Sequence, residues 1–508
     1  MDRLVSFKSF NITLLGMCIC MVCGILFGII FFRIIGAENF GIYGAVQLLL
    51  AFYLLLEFSV GPFLIRELSS SISSKTGKRV NYIFFGLFVG TTVAIFAAVS
   101  YYMTAVFIFS VFSPEKSIEV EPLVLSSSWL LFCIMVQLII SSFFNGLQLQ
   151  HLAMTSNAIV WCLRIILGVL FIDHVNPDIG TLINTHLVSI IAVIFMQLTY
   201  LKSKYSIKIS IKSVEITYNE FSSIFNEYLD FSRKYYIATL LGFLCSSIDK
   251  IVFLRLMGSY EFGCYTLAKN ISNGLGSIIQ AVVSHAYPTL TSKMGHHNEL
   301  FGTIYIYQAI LLILIAPILA FILSAPEYLM TFYSGNAESG VLISKYSIFL
   351  VFGVFFSGAA ALIQTLLVAS GNEKFILWIN ILMLCLIGGV FGIGEFIGLS
   401  NDQNKLQFTT ILLITFAVSP LVSIAMSLVA ERQKLILNTF KTITAPLWCV
   451  VMPLLLFALF SKTIVGGSDL LRAIGIYVFI LILCGFLVWC LRACINGENL
   501  GLKKLSDN

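Results

Sequence analysis

Long apolar segments alternate with short polar ones along almost the whole chain. A hydrocarbon core about 30 Å thick is crossed by a helix of about 20 apolar residues. The pattern therefore predicts an all-α polytopic membrane protein with about fourteen transmembrane helices. The predicted spans lie near 11–32, 40–60, 81–112, 123–145, 152–172, 179–201, 236–256, 263–287, 302–324, 341–370, 375–399, 408–430, 443–460 and 471–493.

One pattern of residues occurs twice, and its two copies lie 222 residues apart. The first copy, Phe31–Tyr43, reads F-F-R-I-I-G-A-E-N-F-G-I-Y, and the second copy, Phe253–Tyr265, reads F-L-R-L-M-G-S-Y-E-F-G-C-Y. Six predicted spans separate the copies, and because six is even, both copies have the same direction through the membrane. Parallel repeats of this kind build two lobes related by a pseudo-two-fold axis along the membrane normal.

The duplication predicts four regions in the chain. Spans one to six form an N-terminal lobe (1–201), and spans seven to twelve form a C-terminal lobe (236–430). A cytoplasmic loop (202–235) connects the lobes. Spans thirteen and fourteen lie outside the duplication, in a C-terminal helix pair and tail (431–508).

Composition and charge agree with a membrane location. The chain is 59% hydrophobic and 11% charged, whereas ordinary globular domains are about 25% charged. Lys and Arg concentrate in alternate loops, so the positive-inside rule places both termini in the cytoplasm. Of the twelve cysteines, Cys20 and Cys23 alone have C-x-x-C spacing, and both lie inside the first predicted span, where helix packing is the favoured interpretation; no His/Cys spacing of a metal site accompanies them. We therefore expect no disulfide framework, no metal, no cofactor and no nucleic-acid partner.

Several ionisable residues fall inside or at the ends of the predicted spans. An ionised side chain at membrane depth costs at least about 2.5–3.5 kcal/mol, so its presence requires a reason. Basic candidates for binding an anionic substrate in a central cavity are Arg164, Lys250, Lys269, Arg33 and Arg255. Acidic candidates for carrying a coupling ion, H⁺ or Na⁺, are Glu57 and Asp249.

The duplication helps to sort these candidates. Arg33 and Arg255 are equivalent, which favours a shared structural task at a helix end. The positions equivalent to Asp249, Lys250 and Lys269 are uncharged, so the repeated fold does not require these charges and function is favoured. An internal ion pair between Asp249 and Lys269 is the structural alternative.

Arg164 has no acidic residue near it in sequence and is the strongest candidate for binding an anion. Its alternatives are snorkelling to the interface or pairing with Glu57.

Motifs of common enzymes are absent from the sequence. It contains no G-x-x-x-x-G-K-[ST], H-E-x-x-H or G-x-S-x-G motif, so we expect neither ATP hydrolysis nor those hydrolase chemistries. The loops predicted to face outward are short, which disfavours a membrane glycosyltransferase or polymerase. These observations favour a transporter over an enzyme.

The repeated R-h-h-G-x-x-x-F-G-x-Y element (h, hydrophobic) resembles that of bacterial polysaccharide flippases of the O-antigen type. These proteins belong to the multidrug/oligosaccharidyl-lipid/polysaccharide exporter superfamily. Further matches are S-S-I-D-K-I-V-F-L at 246–254, F-F-N-G-L-Q at 143–148 and V-A-S-G-N-E-K at 368–374, and the resemblance covers roughly 10–430. The family-like positions are Arg33, Gly36, Gly41, Tyr43, Asp249, Arg255, Gly258 and Tyr265.

The resemblance implies transfer of an undecaprenyl-pyrophosphate-linked oligosaccharide from the cytoplasmic to the periplasmic leaflet of a bacterial inner membrane. It also implies contact with membrane lipid and with other membrane proteins of polysaccharide assembly. A sugar–pyrophosphate head loses its hydration in hydrocarbon, which a cationic cavity would replace. Two alternatives in the same superfamily are a lipid II flippase for peptidoglycan and a multidrug–cation antiporter.

Overall fold

The structure is a computed structural model that describes residues 2–74, 79–112, 117–147, 149–172, 178–205, 218–292, 325–369 and 373–396, with scattered residues in 304–322 and 409–415. Helices account for almost all of these residues, and seven helical stretches among them are long and apolar enough to cross a membrane. The predicted all-α polytopic fold is therefore confirmed. The predicted spans 443–460 and 471–493 lie outside the described residues.

The helices range in length from 9 to 53 residues, and several are longer than the about 20 residues that cross a bilayer. In chain order they are α1 (Asp2–Leu54), α2 (Val60–Ser74), α3 (Arg79–Phe112), α4 (Ser117–Gly146), α5 (Gln150–Ile172), α6 (Ile179–Tyr205), α7 (Tyr218–Leu256), α8 (Ser259–Ser292), α9 (Pro326–Ser334), α10 (Ala337–Ala369) and α11 (Glu373–Phe396). The chain forms two compact units, Met1–Asn270 and Ile271–Asn508. Helix α7 lies within the first unit. The division into two lobes and a C-terminal helix pair stays a prediction.

Each copy of the repeated element forms the junction between two helical segments. In the first copy, α1 is interrupted at Gly36, which has φ 80° and ψ 163°. A residue with a side chain is strained at such a φ, so glycine is the residue suited to this position. In the second copy, Gly258 lies between the end of α7 and the start of α8.

The two copies pack directly against each other through glycines. A Cβ atom built on Gly41 would collide with the carbonyl oxygen of Ser259, and one built on Gly263 would collide with that of Ala37. Ala37 and Ser259 are themselves equivalent, 222 residues apart. Such reciprocal contacts are what a two-fold relation between like surfaces produces. Only residues without a side chain permit this backbone approach.

The predicted second span, 40–60, is not one continuous helix. After α1 a short 3-10 turn covers Leu55–Glu57, and Phe58 and Ser59 then adopt left-handed φ values of 50° and 65°. Two consecutive left-handed residues that are not glycine are uncommon and strained. We call Leu55–Ser59 the helix break. It contains neither proline nor glycine, so the sequence pattern did not indicate it.

Two hydroxyl groups of α7 stabilise the helix break. The phenol of Tyr228 and the hydroxyl of Ser232 both donate to the carbonyl oxygen of Phe58, at 2.9 and 2.7 Å. Burial raises the pKa of Tyr228 to about 12, so its phenol stays protonated and donates at neutral pH. The carbonyl group freed by the break is therefore satisfied from another helix.

Helix α7 begins well before the span predicted at 236–256. Residues 218–235 are helical, which corrects the prediction of a loop over 202–235; residues 206–217 lie outside the described part of the chain. Aromatic residues at helical spacing explain the difference, because they pack one face of α7 onto α2 and α3. The ring contacts join Phe221 and Tyr228 of α7 to Phe63 and Phe85.

Candidate functional site

Arg164 is the most deeply buried of the predicted basic candidates. It lies on α5, with 3% of its surface exposed, and donates a hydrogen bond to the phenol oxygen of Tyr43. Its guanidinium carbon lies 3.9 Å from the ring centroid of Phe27 and 5.0 Å from that of Trp161. The aromatic faces attract the cation. Among the described residues no carboxylate pairs with Arg164, and its Nε atom has no partner.

Two further unsatisfied polar groups accompany Arg164. His186 of α6 interacts electrostatically with Arg164, and its Nδ1 atom is buried without a partner in the described structure. Gln47 lies one helical turn after Tyr43 on α1, and its Nε2 atom is likewise buried without a described partner. Buried polar groups are normally hydrogen-bonded. This cluster is therefore suited to a polar or anionic ligand.

A second cluster surrounds Asp249, which is 2% exposed on α7. Its carboxylate forms an ion pair with Lys269 of α8 and accepts a hydrogen bond from the phenol of Tyr265 at 2.6 Å. The internal pair that the sequence analysis left open as an alternative is thus present. The ammonium of Lys250 also interacts electrostatically with Asp249. One carboxylate faces two ammonium groups, so the cluster has a net positive charge.

The remaining two basic candidates lie on the surface of the protein. Arg33 and Arg255 occupy equivalent positions in the two copies, and both are exposed. Arg164 thus belongs to a cluster around Tyr43, and Lys250 and Lys269 belong to a cluster around Tyr265. The roles of all five residues in substrate binding stay predictions.

A cavity of about 370 Å³ lies between the helix break and α7. Glu57 lines it and accepts a hydrogen bond from the amide of Gly61 at 2.8 Å. The ion pairs of the described residues do not include one between Glu57 and Arg164. Ser59 also lines the cavity; its hydroxyl is buried and has no partner among the described residues. Helix α7 contributes phenol, hydroxyl and aromatic side chains, from Tyr236, Thr239, Phe243 and Ser246. Apolar residues complete the lining: Ala51, Leu54, Leu55, Pro62 and Gly242.

Glu57 was predicted from the sequence as a candidate residue, whereas the other lining residues of this cavity were not. The available signal was the spacing of Thr239, Ser246 and Lys250, which recur at seven and four residues and so share one face of a helix. Ser59 had no comparable signal, because its position depends on the helix break.

Comparison with known proteins finds two family models that match this chain. Residues 6–294 match the family described as polysaccharide biosynthesis protein, and residues 236–393 match the MatE family. No curated protein matches the sequence.

Several solved structures have the same fold. The lipid II flippase MurJ, in an inward closed conformation, aligns with a TM-score of 0.69 at 15% identity, over 96% of this chain and 99% of that chain. An inward-facing multidrug resistance MATE family transporter of the MOP superfamily aligns with a TM-score of 0.62 at 16% identity, over 85% and 95%. The Vibrio cholerae MATE transporter VcmN, in the bent form, gives a TM-score of 0.53 at 13% identity, over 86% and 97%. At these identities the likeness shows the fold.

Proposed function

Because the chain belongs to the polysaccharide biosynthesis protein family, as its repeated element predicted, we propose that it is a flippase for a lipid-linked oligosaccharide. The proposed cargo is an undecaprenyl-pyrophosphate-linked oligosaccharide of the O-antigen type. It would move from the cytoplasmic to the periplasmic leaflet of a bacterial inner membrane by alternating access. The coarser assignment, a membrane transporter of the exporter superfamily, follows from the family and the fold.

The observation that carries the proposal is the buried, uncompensated charge of Arg164. Breaking a buried ion pair by removing one partner costs about 3–5 kcal/mol, because a buried charge needs compensation. Among the described residues Arg164 has aromatic faces and one phenol, but no acid. A pyrophosphate supplies the missing negative charge, and a guanidinium binds phosphate oxygens in pairs. The second cluster, with Lys250, adds a further net positive charge.

The physical problem solved by such a site is the transfer of a charged head through oil. Phosphate charges and sugar hydroxyls are costly to remove from water unless other polar groups replace it. The membrane potential, inside negative, favours outward movement of an anion by about 2.3 kcal/mol per charge per 100 mV. Glu57 and Asp249 stay the candidates for a coupling ion, H⁺ or Na⁺.

A lipid II flippase is the second candidate function. The structural likeness to MurJ extends over 96% of this chain, and lipid II also has an anionic head that a cationic site would bind. A multidrug–cation antiporter is disfavoured, because the buried ionisable groups around Asp249 and Arg164 have an excess of positive charge.

Deletion of the gene separates these functions. An O-antigen-type flippase predicts loss of surface glycan and accumulation of its lipid-linked precursor, a lipid II flippase predicts lysis, and an antiporter predicts drug sensitivity. Lipid analysis of the deletion strain also identifies the sugars.

The role of Arg164 is tested with Arg164→Gln, and Arg233→Ala is the matched control, because Arg233 is exposed on α7. We expect the Gln variant to reach the membrane but to lower flipping at least tenfold, since an interaction with a buried charge is lost. The control retains normal surface glycan. Normal surface glycan in the Gln variant at normal protein level contradicts the proposed cationic site.

A further inference from the structure

The cavity beside the helix break is lined by one acidic residue and by no basic one. Glu57 is its one carboxyl group, and no lysine, arginine or histidine is among its described lining residues. A phosphate group would find no cation there to compensate its charge. The cavity therefore does not fit the pyrophosphate of the proposed cargo and requires a different part of a ligand.

Hydroxyl groups dominate the polar lining of this cavity. Ser59 is 6% exposed, and its hydroxyl has no partner among the described residues although it lines the cavity. A buried hydroxyl without a hydrogen bond destabilises the fold, so its presence beside a cavity indicates a ligand atom. The side chains of Thr239 and Ser246, which line the opposite side from α7, are exposed. These groups can each donate and accept a hydrogen bond.

Aromatic rings share the apolar part of the lining with the aliphatic side chains of Ala51, Leu54, Leu55 and Pro62. Tyr236 packs against Phe58 of the helix break with ring centroids 5.4 Å apart, and Phe243 packs against Phe52 with centroids 6.4 Å apart. Both Tyr236 and Phe243 also line the cavity. A sugar ring has an apolar face of C–H groups and a rim of hydroxyls. One carboxylate, several hydroxyls and aromatic surface are complementary to both.

We propose that this cavity is a subsite for a neutral sugar of the lipid-linked head group, with Glu57 and Ser59 as its principal hydrogen-bonding residues. The inference rests on the proposed flippase function and assigns one part of that cargo. A volume of about 370 Å³ is at the small end of the range for small-molecule sites. It suits one or two sugar rings and not a whole oligosaccharide.

The position of Lys250 supports the assignment. Ser246 lines the cavity, and Lys250 follows it four residues later on the same face of α7, a rise of about 6 Å. The sugar and the pyrophosphate of a lipid-linked head are covalent neighbours. A sugar subsite next to a cation that binds pyrophosphate thus matches the order of groups in the cargo.

A cation is a poorer occupant of the cavity. A metal ion needs several ligands, and the described residues contain no group of three His, Cys, Asp or Glu side chains that could hold one. An organic cation would use the carboxylate and the rings but would leave the hydroxyl of Ser59 without a hydrogen bond, and Lys250 would repel it.

The test compares two ligands on the full-length protein in lipid nanodiscs. One ligand is the lipid-linked oligosaccharide extracted from the deletion strain, and the other is undecaprenyl pyrophosphate, which lacks the sugars. The ratio of the two dissociation constants isolates the contribution of the sugar. We expect the wild-type protein to bind the glycosylated lipid about tenfold or more tightly than undecaprenyl pyrophosphate. One hydrogen bond to a charged group changes a dissociation constant by about this factor.

Glu57→Gln and Ser59→Ala test the residues. The Gln variant retains an oxygen that can accept the Gly61 amide, and the Ala variant removes a hydroxyl without a described partner, so both should fold. We expect Glu57→Gln to reduce the preference about tenfold and Ser59→Ala about fivefold, with undecaprenyl pyrophosphate bound as by the wild type. Ser128→Ala is the control, because the buried hydroxyl of Ser128 bonds to Val124 of its own helix.

The outcomes separate the inference from the function on which it rests. An unchanged preference in both variants, or equal weakening of both ligands, overturns the sugar subsite. Binding of tetraphenylphosphonium or sodium that depends on Glu57, without a change in sugar preference, also overturns it. Failure of the wild-type protein to bind either lipid instead contradicts the proposed flippase function.

Discussion

The two copies of the repeated element bury the same tyrosine but surround it with different charges. In the first copy, Tyr43 accepts a hydrogen bond from Arg164, which has no acidic partner among the described residues. In the second copy, Tyr265 donates to Asp249, which also forms an ion pair with Lys269. The backbone pattern is thus shared, whereas the charge is compensated only in the second copy.

The helices that follow the two copies differ as well. Helix α1 ends in the helix break at Glu57, whereas α8 continues unbroken past Ile279, which occupies the equivalent position. Both unusual features of the first copy, an unpaired cation and a broken helix, are costly to stability. Since the second copy folds without them, the fold does not require them, and we infer that they serve transport.

The largest expected effect comes from breaking the charge compensation of the second copy. Asp249→Asn leaves the partly buried Lys269 without its carboxylate, and we expect a loss of about 3 kcal/mol in the free energy of unfolding, the lower end of the range for a buried pair. The double variant Asp249→Phe/Lys269→Gln gives the second copy the residues of the first, Phe27 and Gln47. It should recover most of that loss, since apolar replacement of a buried pair is often neutral.

Unfolding of the purified protein in detergent measures both effects. Lys345→Gln, on α10, is a control for removal of one cation. If the double variant is no more stable than Asp249→Asn, the Asp249–Lys269 pair stabilises the fold by more than mutual compensation of charge. Loss of flipping in a stable double variant would indicate a role of these charges in transport.

Alanine substitutions at the glycine contact test the backbone packing that the two copies share. Gly41→Ala and Gly263→Ala each place a methyl group against a backbone carbonyl of the other copy, and backbone cannot rotate away. We expect equal losses of about 1–3 kcal/mol, because the contacts are reciprocal. Gly44→Ala is the graded control, since its methyl group would meet the side chain of Thr266. Clearly unequal losses for the first two variants would contradict reciprocity.

The sequence predicted the shared part of the molecule well. Most helix positions follow from apolar segments of bilayer length, and the glycines of the repeated element are evident in the sequence. The backbone contact that these glycines permit was seen only in the structure. The helix break left none: Phe58 and Ser59 are ordinary residues held in left-handed conformations by hydroxyl groups of α7, far away in sequence.

The candidate site was predicted only in part, for a related reason. Charged residues in apolar segments are conspicuous, so Arg164, Asp249 and Lys269 were found directly. The Asp249–Lys269 pair was named only as an alternative, and the contacts with Tyr43 and Tyr265 were not predicted, because contacts between helices depend on packing that periodicity does not specify. The choice between a free and a paired lysine at 269 required the structure.

Substitution of the two equivalent tyrosines also tests the different charge environments of the two copies, with a smaller expected effect. Tyr43→Phe removes the hydrogen bond of Arg164 to a phenol, and we expect a loss of about 1.5–3 kcal/mol, as for a bond to a charged group. Tyr265→Phe should cost only about 1 kcal/mol, because Asp249 keeps Lys269 and the amide of Lys250. Thermal unfolding of the two variants side by side measures the difference. Equal losses, or a larger one for Tyr265→Phe, would show that the charge of Arg164 is compensated in some other way.

The smallest effects are expected at the helix break. This break follows the first copy of the repeated element and has no equivalent after the second copy. Tyr228→Phe and Ser232→Ala each remove one of two hydrogen bonds to the carbonyl of Phe58, and each should cost about 1 kcal/mol, because the other hydroxyl still satisfies that oxygen. The double variant leaves a buried carbonyl without a side-chain partner. Its loss should therefore exceed the sum of the single losses by about 0.5 kcal/mol or more. A strictly additive result would mean that water or the strained backbone itself satisfies the carbonyl, and that α7 does not hold the break in place.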